Sequence, residues 1–361
     1  MENKTFDVVV VGAGPGGCVA AKKCGKAGLR TLLLEKKKLP RDKVCSGMIM
    51  GYWAKNLVKD EFGDIPAHVL TGTYRGVTLH TGRNNSITIP AVIPVGWRKN
   101  LDYWMCQKAT EAGTEVLDAV SINRIVYTEG KYQFDLRKGK DTETVYGRFV
   151  IGADGAFSQV RHTFWPDLNI ESRAALRECY QGPLKIEKDH FHWFFPRVSP
   201  SPRFAVNYKE DHFLIEGGGI KHLRNEIQDI MMSYGLPFEA KPLWRDGCGI
   251  ASLYNILLDE SFLPAKQNVL LVGDAAGLLL PFTQEGIGSA LKSGAYAAES
   301  VIKALAGIGT AQQYYLGKLR EMMRVLKELR TLQLKMAEIA PKGAEALSEA
   351  MASFIDKTVN E

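Results

Sequence analysis

The residues best placed to do chemistry fall where apolar runs end. Val8–Val11 lead into Gly12-Ala13-Gly14-Pro15-Gly16-Gly17, a G-x-G-x-x-G, and Glu35 stands 18 residues past Gly17, at the end of a second apolar run, Thr31–Leu34. In such a sequence Gly12 permits a tight turn, Gly14 lets backbone approach a pyrophosphate, and Gly17 lets the next helix pack closely on the strand. A carboxylate at Glu35 accepts hydrogen bonds from both hydroxyls of an adenosine ribose and repels a 2′-phosphate. Arg148-Phe149-Val150-Ile151 leads into Gly152-Ala153-Asp154-Gly155, and Asn268–Val272 into Gly273-Asp274-Ala275-Ala276-Gly277. Asp154 would sit at a sheet's carboxyl edge, where ligands of α/β proteins bind. Asp274 can hold a cofactor hydroxyl near the pyrophosphate. The Gly286–Gly288 amides open a helix that can face developing negative charge. The first motif by itself implies FAD or NAD.

The elements that must position these residues are legible around them. Val8–Val11 read as a strand buried on both faces. Cys18–Ala27 read as a helix stopped by Gly28, and Thr31–Leu34 as the next strand. Residues 52–70 read as helical, residues 73–95 as a hairpin with turn signals at Gly82 and Asn84-Asn85, and Trp97–Ala112 as a helix closed by Gly113. Val116–Val126 and Tyr132–Leu136 read as strands. Residues 170–260 are strand-like and aromatic, with Gly217-Gly218-Gly219 as a break and a short helix over Asn225–Tyr234. Ser289–Ala304 read as a helix of small residues.

Three stretches admit two readings each. Arg41-Asp42-Lys43-Val44-Cys45-Ser46-Gly47-Met48 is either a loop wrapping a cofactor, with Cys45 toward its reactive ring, or a basic surface loop with an incidental cysteine. His190-Phe191-His192-Trp193-Phe194-Phe195-Pro196, the densest aromatic cluster, either walls an apolar pocket or fills a core, and spacing alone favours the core. Leu316, Leu319, Met323, Leu326, Leu329 and Met336 recur at helical spacing, opposite a basic face. That pattern suits a helix packed on its own domain better than one lying on a membrane.

Size and composition set outer bounds. A chain of 361 residues can build two or three units around a large core. Hydrophobic content of 45% and charged content of 24% are ordinary for a globular protein. A net charge of +6 is compatible with an acidic cofactor, an anionic substrate or a membrane surface and selects none of them; no nucleic-acid partner is expected. The polar N-terminus implies no signal peptide, and no stretch is long and apolar enough for a spanning helix. The six cysteines contain no C-x-x-C and read as reduced thiols, so the protein is expected in the cytoplasm, with contact at the inner membrane face left open. No Ser/His/Asp triad or metal cluster is apparent.

With its three motifs in this order, the chain resembles FAD-dependent oxidoreductases with the p-hydroxybenzoate hydroxylase type of fold over about residues 6–305. Within them it is most similar to the geranylgeranyl reductases. Lys43-Val44-Cys45-Ser46-Gly47 stands for their Lys-x-Cys-Gly-Gly segment, with Ser46 replacing glycine. Phe191, Trp193, Phe195 and Pro196 fall on their Tyr/Phe-x-Trp-x-Phe-Pro segment, which lines the substrate cavity, with Phe191 replacing tyrosine.

The resemblance implies an α/β fold in which a Rossmann-like FAD-binding domain is interleaved with a β-rich substrate domain and followed by a C-terminal helical segment. The implied boundaries are FAD-binding parts at 1–70, 98–169 and 263–306, substrate parts at 71–97 and 170–262, and helices at 307–361. It implies that Ala13, Pro15 and Gly16 contact the FAD pyrophosphate and that Glu35 contacts the ribose. Arg41, Cys45, Ser46 and Gly47 would lie along the cofactor, Arg98 near the ribityl chain or phosphates, and Val120 at the adenine. Asp154 would serve cofactor contacts, Asp274 the pyrophosphate side, and Gly286 and Ile287 the isoalloxazine. Phe191, Trp193, Phe195 and Pro196 would bind substrate, and Cys45 would be catalytic, shaping the pocket or relaying a proton.

The implied reaction is reduction of carbon–carbon double bonds in an isoprenoid or other apolar substrate. Its competitors are a flavin monooxygenase or halogenase on the same fold, and a flavin-binding sensor without turnover. No second complete G-x-G-x-x-G is present, which leaves a ferredoxin-like protein open beside NAD(P)H as electron donor.

Overall fold

The computed structural model describes residues 4–360 except 52, 83, 84, 219, 221 and 222, without the side chains of 357–360. Asn84, Gly219 and the first residue of the 52–70 stretch therefore lie outside the described residues.

The chain begins with β1 (Lys4–Val11), α1 (Pro15–Lys26), β2 (Thr31–Leu34) and α2 (Ala54–Phe62). A hairpin follows, β3 (Gly72–Thr81) and β4 (Ser86–Val95), then α3 (Arg98–Glu111), β5 (Glu115–Leu117), β6 (Ser121–Thr128), β7 (Lys131–Lys138), β8 (Asp141–Gly152) and α4 (Gln159–Phe164). The next block is β9 (Glu171–Gln181), β10 (His190–Phe195), β11 (Phe204–Lys209), β12 (His212–Gly217), α5 (Arg224–Ser233), β13 (Trp244–Ser252) and α6 (Tyr254–Leu258). The chain closes with β14 (Ala265–Lys266), β15 (Val269–Leu271), α7 (Ile287–Leu305), α8 (Ala311–Ile339) and α9 (Ala344–Asn360).

Two sheets result. The first runs β14-β15-β8-β1-β2-β5, with β7 added antiparallel to β8 and β6 to β7. Its central strands are parallel and level at their carboxyl ends: Val11 pairs with Leu34 on one side and Gly152 on the other, and Gly152 pairs with Leu271. Val8, Val9 and Val10 are fully buried, as a strand covered on both faces requires. Each such side chain contributes about 1.5–3 kcal/mol through burial. The second sheet runs β13-β9-β12-β11-β10-β3-β4, so the early hairpin is completed by strands from the much later stretch 171–252.

Glycine does specific work between layers. Gly12 holds φ +103, and a Cβ at Gly17 would overlap the Gly12 carbonyl. A Cβ at Gly294 would overlap the Gly16 carbonyl, so small residues let α7 lie directly on α1.

Several sequence expectations change. The helical reading of 52–70 shrinks to α2 and a single 3-10 turn at Ala67–Val69, because Gly63 at φ +87 ends α2. The strand read over Val116–Val126 is two, β5 and β6, broken around Ala119 at φ +56. The short strand ending at Ile151 is the end of a 12-residue strand that pairs with β1 and β7. Helices α8 and α9 both fall within the stretch 307–361 expected to be helical. The apolar face of α8 packs on its own domain: Leu319, Leu326, Leu329 and Met336 are buried, and Leu316 and Met323 rest against the same core. Among the described residues no helix is long and apolar enough to cross a membrane.

Candidate functional site

Because β1, β2, β8 and β15 end level, Gly12, Glu35, Asp154 and Asp274 arrive at one edge of the first sheet. A cavity of about 1060 Å³ lies there and extends to the second sheet. It is at the upper end of the ~300–1,000 Å³ common for ligand pockets, so it has room for a dinucleotide and more. Gly12, Gly14, Pro15, Gly16, Glu35, Arg41, Cys45, Ser46, Arg98, Val120, Asp154, Asp274, Gly286 and Ile287 line it, together with Phe191 and Trp193. Ala13 and Gly47 lie within the lining segments. Phe195 sits behind the wall, its ring 6.1 Å from that of Phe282, and Pro196 is buried in the following turn.

The nucleotide end is built for an anion. Helices α1 and α7 both begin without a side-chain cap, at Gly14 and Gly286, so their first N–H groups are available to phosphate or to a polarised ring. A Cβ at Gly14 would meet nothing nearer than an Arg41 nitrogen at 4.0 Å, which leaves an open cradle at the helix mouth. Glu35 accepts the Ala13 N–H at 3.1 Å and the Lys37 N–H at 2.9 Å. Val120 donates its N–H to the Glu35 carbonyl at 3.0 Å, which brings the β5–β6 break to the same place.

A buried ionic chain runs beneath this end. Arg41 bonds Glu35 at 2.9 Å and Asp102 at 3.0 Å, and Arg98 clamps Asp102 with two bonds of 2.7 and 2.9 Å. Burial works against the Arg98 charge, but Asp102 and the Cys45 thiol together more than offset it and raise its pKa, so the guanidinium stays protonated. Asp102 was missed from sequence; its signal was the i,i+4 spacing to Arg98 on α3.

The other two carboxylates differ. Asp154 accepts from the Ser158 hydroxyl at 2.5 Å and from the Gln159 and Val160 N–H groups at 2.7 and 3.1 Å, so its carboxylate is committed to opening α4. Burial still raises its pKa. Arg161 then ties this turn to the third motif, donating to the carbonyls of Ala156 at 2.5 Å and Ala275 at 2.8 Å. Asp274 stands beside the start of α7, where a Cβ at Gly286 would lie 3.0 Å from its carboxylate and 2.7 Å from Leu279.

Cys45 is half-buried on the far side of this chain, and its thiol accepts the Gly47 N–H at 3.4 Å. Arg98 approaches the thiol, and Arg177 holds the Cys45 carbonyl at 3.0 Å. A Cβ at Gly47, which holds φ +73, would overlap the Gly96 carbonyl, which also takes the Lys209 ammonium at 3.3 Å. Lys209 is buried over the Trp97 ring at 4.2 Å; burial pushes its pKa down to about 8, partly offset by Glu216.

Strand register explains this grouping. Leu79, Trp193, Ala205, Glu216, Arg177 and Asp246 form one transverse row across the second sheet, so they share the face that looks toward the cavity. Arg177 pairs with Asp246 at 2.5 Å, and Glu216 accepts the Asn207 amide at 3.0 Å. Sequence reasoning missed Arg177, Lys209 and Glu216, because scattered charges on strands carry no local signature.

The sequence profile of the FAD binding domain family matches residues 5–193. The chain belongs to that family. This FAD-dependent oxidoreductase is 28% identical over 360 residues to geranylgeranyl diphosphate reductase of Rhodobacter capsulatus, covering 91% of this chain and 84% of that protein. It is 28% identical over 335 residues to digeranylgeranylglycerophospholipid reductase 3 of Methanosphaera stadtmanae, covering 84% and 79%. A geranylgeranyl bacteriochlorophyll reductase-like structure from Thermoplasma acidophilum superposes with a TM-score of 0.74 at 21% identity, over 99% of this chain and 92% of that one. The resemblance to geranylgeranyl reductases and the α/β fold read from the three motifs are both borne out. The residues present fit FAD: two uncapped helix starts, an open glycine cradle and a buried acidic acceptor converge on one cavity.

Proposed function

We propose that this oxidoreductase saturates carbon–carbon double bonds of an isoprenoid or other apolar substrate. Bound and reduced, FAD supplies a hydride at the cavity's reacting end. The observation that carries the reading is the composition of the cavity: an anion-binding end made by the fingerprint, and an apolar end made by Met48, Met50, Phe191, Trp193, Leu279 and Phe282. The activities named for the two reductase relatives support the same substrate class.

The residue roles are these. Ala13, Pro15 and Gly16 hold the pyrophosphate, Glu35 the ribose, Val120 the adenine, and Asp274 the pyrophosphate side. Arg41, Ser46, Gly47 and Arg98 lie along the cofactor, Asp154 shapes the turn beneath it, and Gly286 and Ile287 meet its ring. Phe191 and Trp193 hold the substrate, with Phe195 and Pro196 fixing the wall behind them. Cys45 stands at the reacting face. An isolated alkene offers no oxygen for an acid to polarise, so pocket shape and exclusion of water supply much of the rate. The interleaved FAD-binding and substrate parts, an electron donor of NAD(P)H or ferredoxin type, and a cytoplasmic site of action belong to the same proposal.

The test is anaerobic. Photoreduced yellow protein is mixed with polyprenyl lipids of graded length. Flavin reoxidation with formation of saturated product is expected. Product that forms only with oxygen uptake would overturn the reading in favour of an oxygenase or halogenase, and a reduced flavin that no lipid reoxidises, with no lipid bound, would leave a sensor.

A further inference from the structure

The cations around the cavity fall into two groups. Of the four arginines that line it, Arg41 holds Glu35 and Asp102, and Arg98 clamps Asp102. Arg177, on the same strand as Arg173, is taken by Asp246. Arg173 and Arg203 are different. Both line the cavity and both are exposed, so they stand where it opens to solvent. Neither guanidinium has a hydrogen-bond or carboxylate partner among the described residues.

The backbone beneath them is fixed. Arg173 pairs with Ile250 in the ladder of β9 and β13, and the Arg203 N–H donates to the Phe194 carbonyl at 3.0 Å. Strand β12 lies between β9 and β11, with Gly217 level with Leu176 and in contact with Phe204. Arg203 is one residue beyond that row and Arg173 is three residues beyond it, in the same direction. Two strand spacings and an offset of two residues put their Cα atoms about 12 Å apart, a span that two arginine side chains can close from either side. Between them the end of β12 carries no side chain. A Cβ at Gly217 would overlap the Arg203 carbonyl, and one at Gly218 would meet nothing nearer than the Ala174 carbonyl at 3.7 Å.

A third cation comes from the Cys45 loop. Lys43 lines the cavity, again with no partner among the described residues. Cys248 pairs with Ala175, two residues from Arg173. Burial raises the Cys248 pKa, and the largest charge acting against that is Lys43, so its ammonium lies close to the two arginines. Asp42 shares the loop and pairs with none of the three among the described residues.

Unpaired cations around a bare glycine floor suit an anion, and guanidinium forks match phosphate oxygens. The fingerprint at the start of α1 already serves the FAD pyrophosphate, which leaves this second cationic place for another ligand. The apolar wall of Phe191 and Trp193 belongs to the same cavity. We propose that Arg173, Arg203 and Lys43 seat the phosphate or diphosphate headgroup of the isoprenoid substrate. The headgroup is held at the opening while the chain lies against Phe191 and Trp193. This rests on the reductase reading.

The tests use FAD-loaded protein, so that the nucleotide end is filled. In calorimetry, wild type should bind inorganic pyrophosphate, more weakly as salt is raised. Arg173→Gln/Arg203→Gln should bind it ~10-fold or more weakly, since hydrogen bonds to charged groups are lost. Equal binding, or none by wild type, would overturn the seat. In anaerobic reoxidation of photoreduced flavin, a polyprenyl diphosphate is compared with the polyprenyl alcohol of the same chain length. The double variant should lower the diphosphate-to-alcohol ratio of second-order rate constants ~10²-fold, and Arg→Lys at both positions should recover part of it. An unchanged ratio would overturn the headgroup role. So would an unchanged ratio joined to a tenfold rise in the saturating concentration of NADPH for flavin reduction, which would give the arginines to the nucleotide's phosphates. Failure of both lipids to reoxidise the wild type would overturn the reductase reading and the lipid origin of the anion, while calorimetry would still decide whether the seat exists.

Discussion

Asp102 is the residue on which the cofactor end pivots. It neutralises two buried guanidinium groups, Arg41 and Arg98, and through Arg41 it sets the position of Glu35. Removing one partner from a buried ionic group leaves uncompensated charge, at a cost of about 3–5 kcal/mol. Asp102→Ala should therefore lower unfolding free energy by about that amount in urea titrations, and a loss under ~1 kcal/mol would show that the arginines find other partners. Glu35→Arg should strip the protein of flavin, read as the ratio of flavin to protein absorbance after purification; normal FAD content would refute the ribose assignment. Cys45→Ala should keep its FAD and lose turnover. Unchanged rates would make Cys45 structural, a part of the loop that Arg177 and Gly96 already hold in place.

At the scale of elements, β10 shows how one strand serves two layers. Alternate side chains point to opposite faces. Phe191, Trp193 and Phe195 thus join the core that contains the cavity wall, while Phe194 joins the second core and stacks on His80 at 4.3 Å. His192 lies on that second face as well, bonded to His80 at 3.0 Å. The choice between pocket and core that the sequence left open was thus a choice between faces, and both occur. Helix α8 is decided by packing too. Leu326 is fully buried and Leu334 is 55% exposed. Leu326→Ala should cost about 2–5 kcal/mol. Leu334→Ala should change stability by no more than ~0.5 kcal/mol. Equal effects in denaturant titrations would contradict this assignment of faces.

The whole molecule is arranged so that distant segments meet at one ligand. The cavity draws on the fingerprint, the Cys45 loop, α3, the turns after β8 and β15, and strands of the second sheet. A ligand that binds only the folded state stabilises it by mass action. FAD at about a hundredfold above its Kd should add about 2.7 kcal/mol, seen as a rise in melting temperature with FAD concentration. A melting temperature that ignores FAD would mean these segments do not close on it together.

The motifs were legible because each is local. A strand, a glycine turn and a carboxylate lie within a few residues, and backbone sterics at Gly12 or phosphate approach at Gly14 allow few other residues. Those constraints were enough for the Rossmann-like unit and the place of Glu35 and Asp274, while the choice of FAD over NAD came from the resemblance carried by the three motifs together. Tertiary structure alone decided which charges meet. Register put Glu216 beside Arg177 and Asp246, a helix start claimed Asp154, and α3 supplied Asp102 to Arg41 across 61 residues. Above all it decided protonation. Glu285 in the sequence is one acidic residue in a loop; only the packing of Gly51 and Leu280 around it removes water and pushes its pKa up to about 8. Desolvation depends on what surrounds a group in space, and neighbours along the chain do not reveal that.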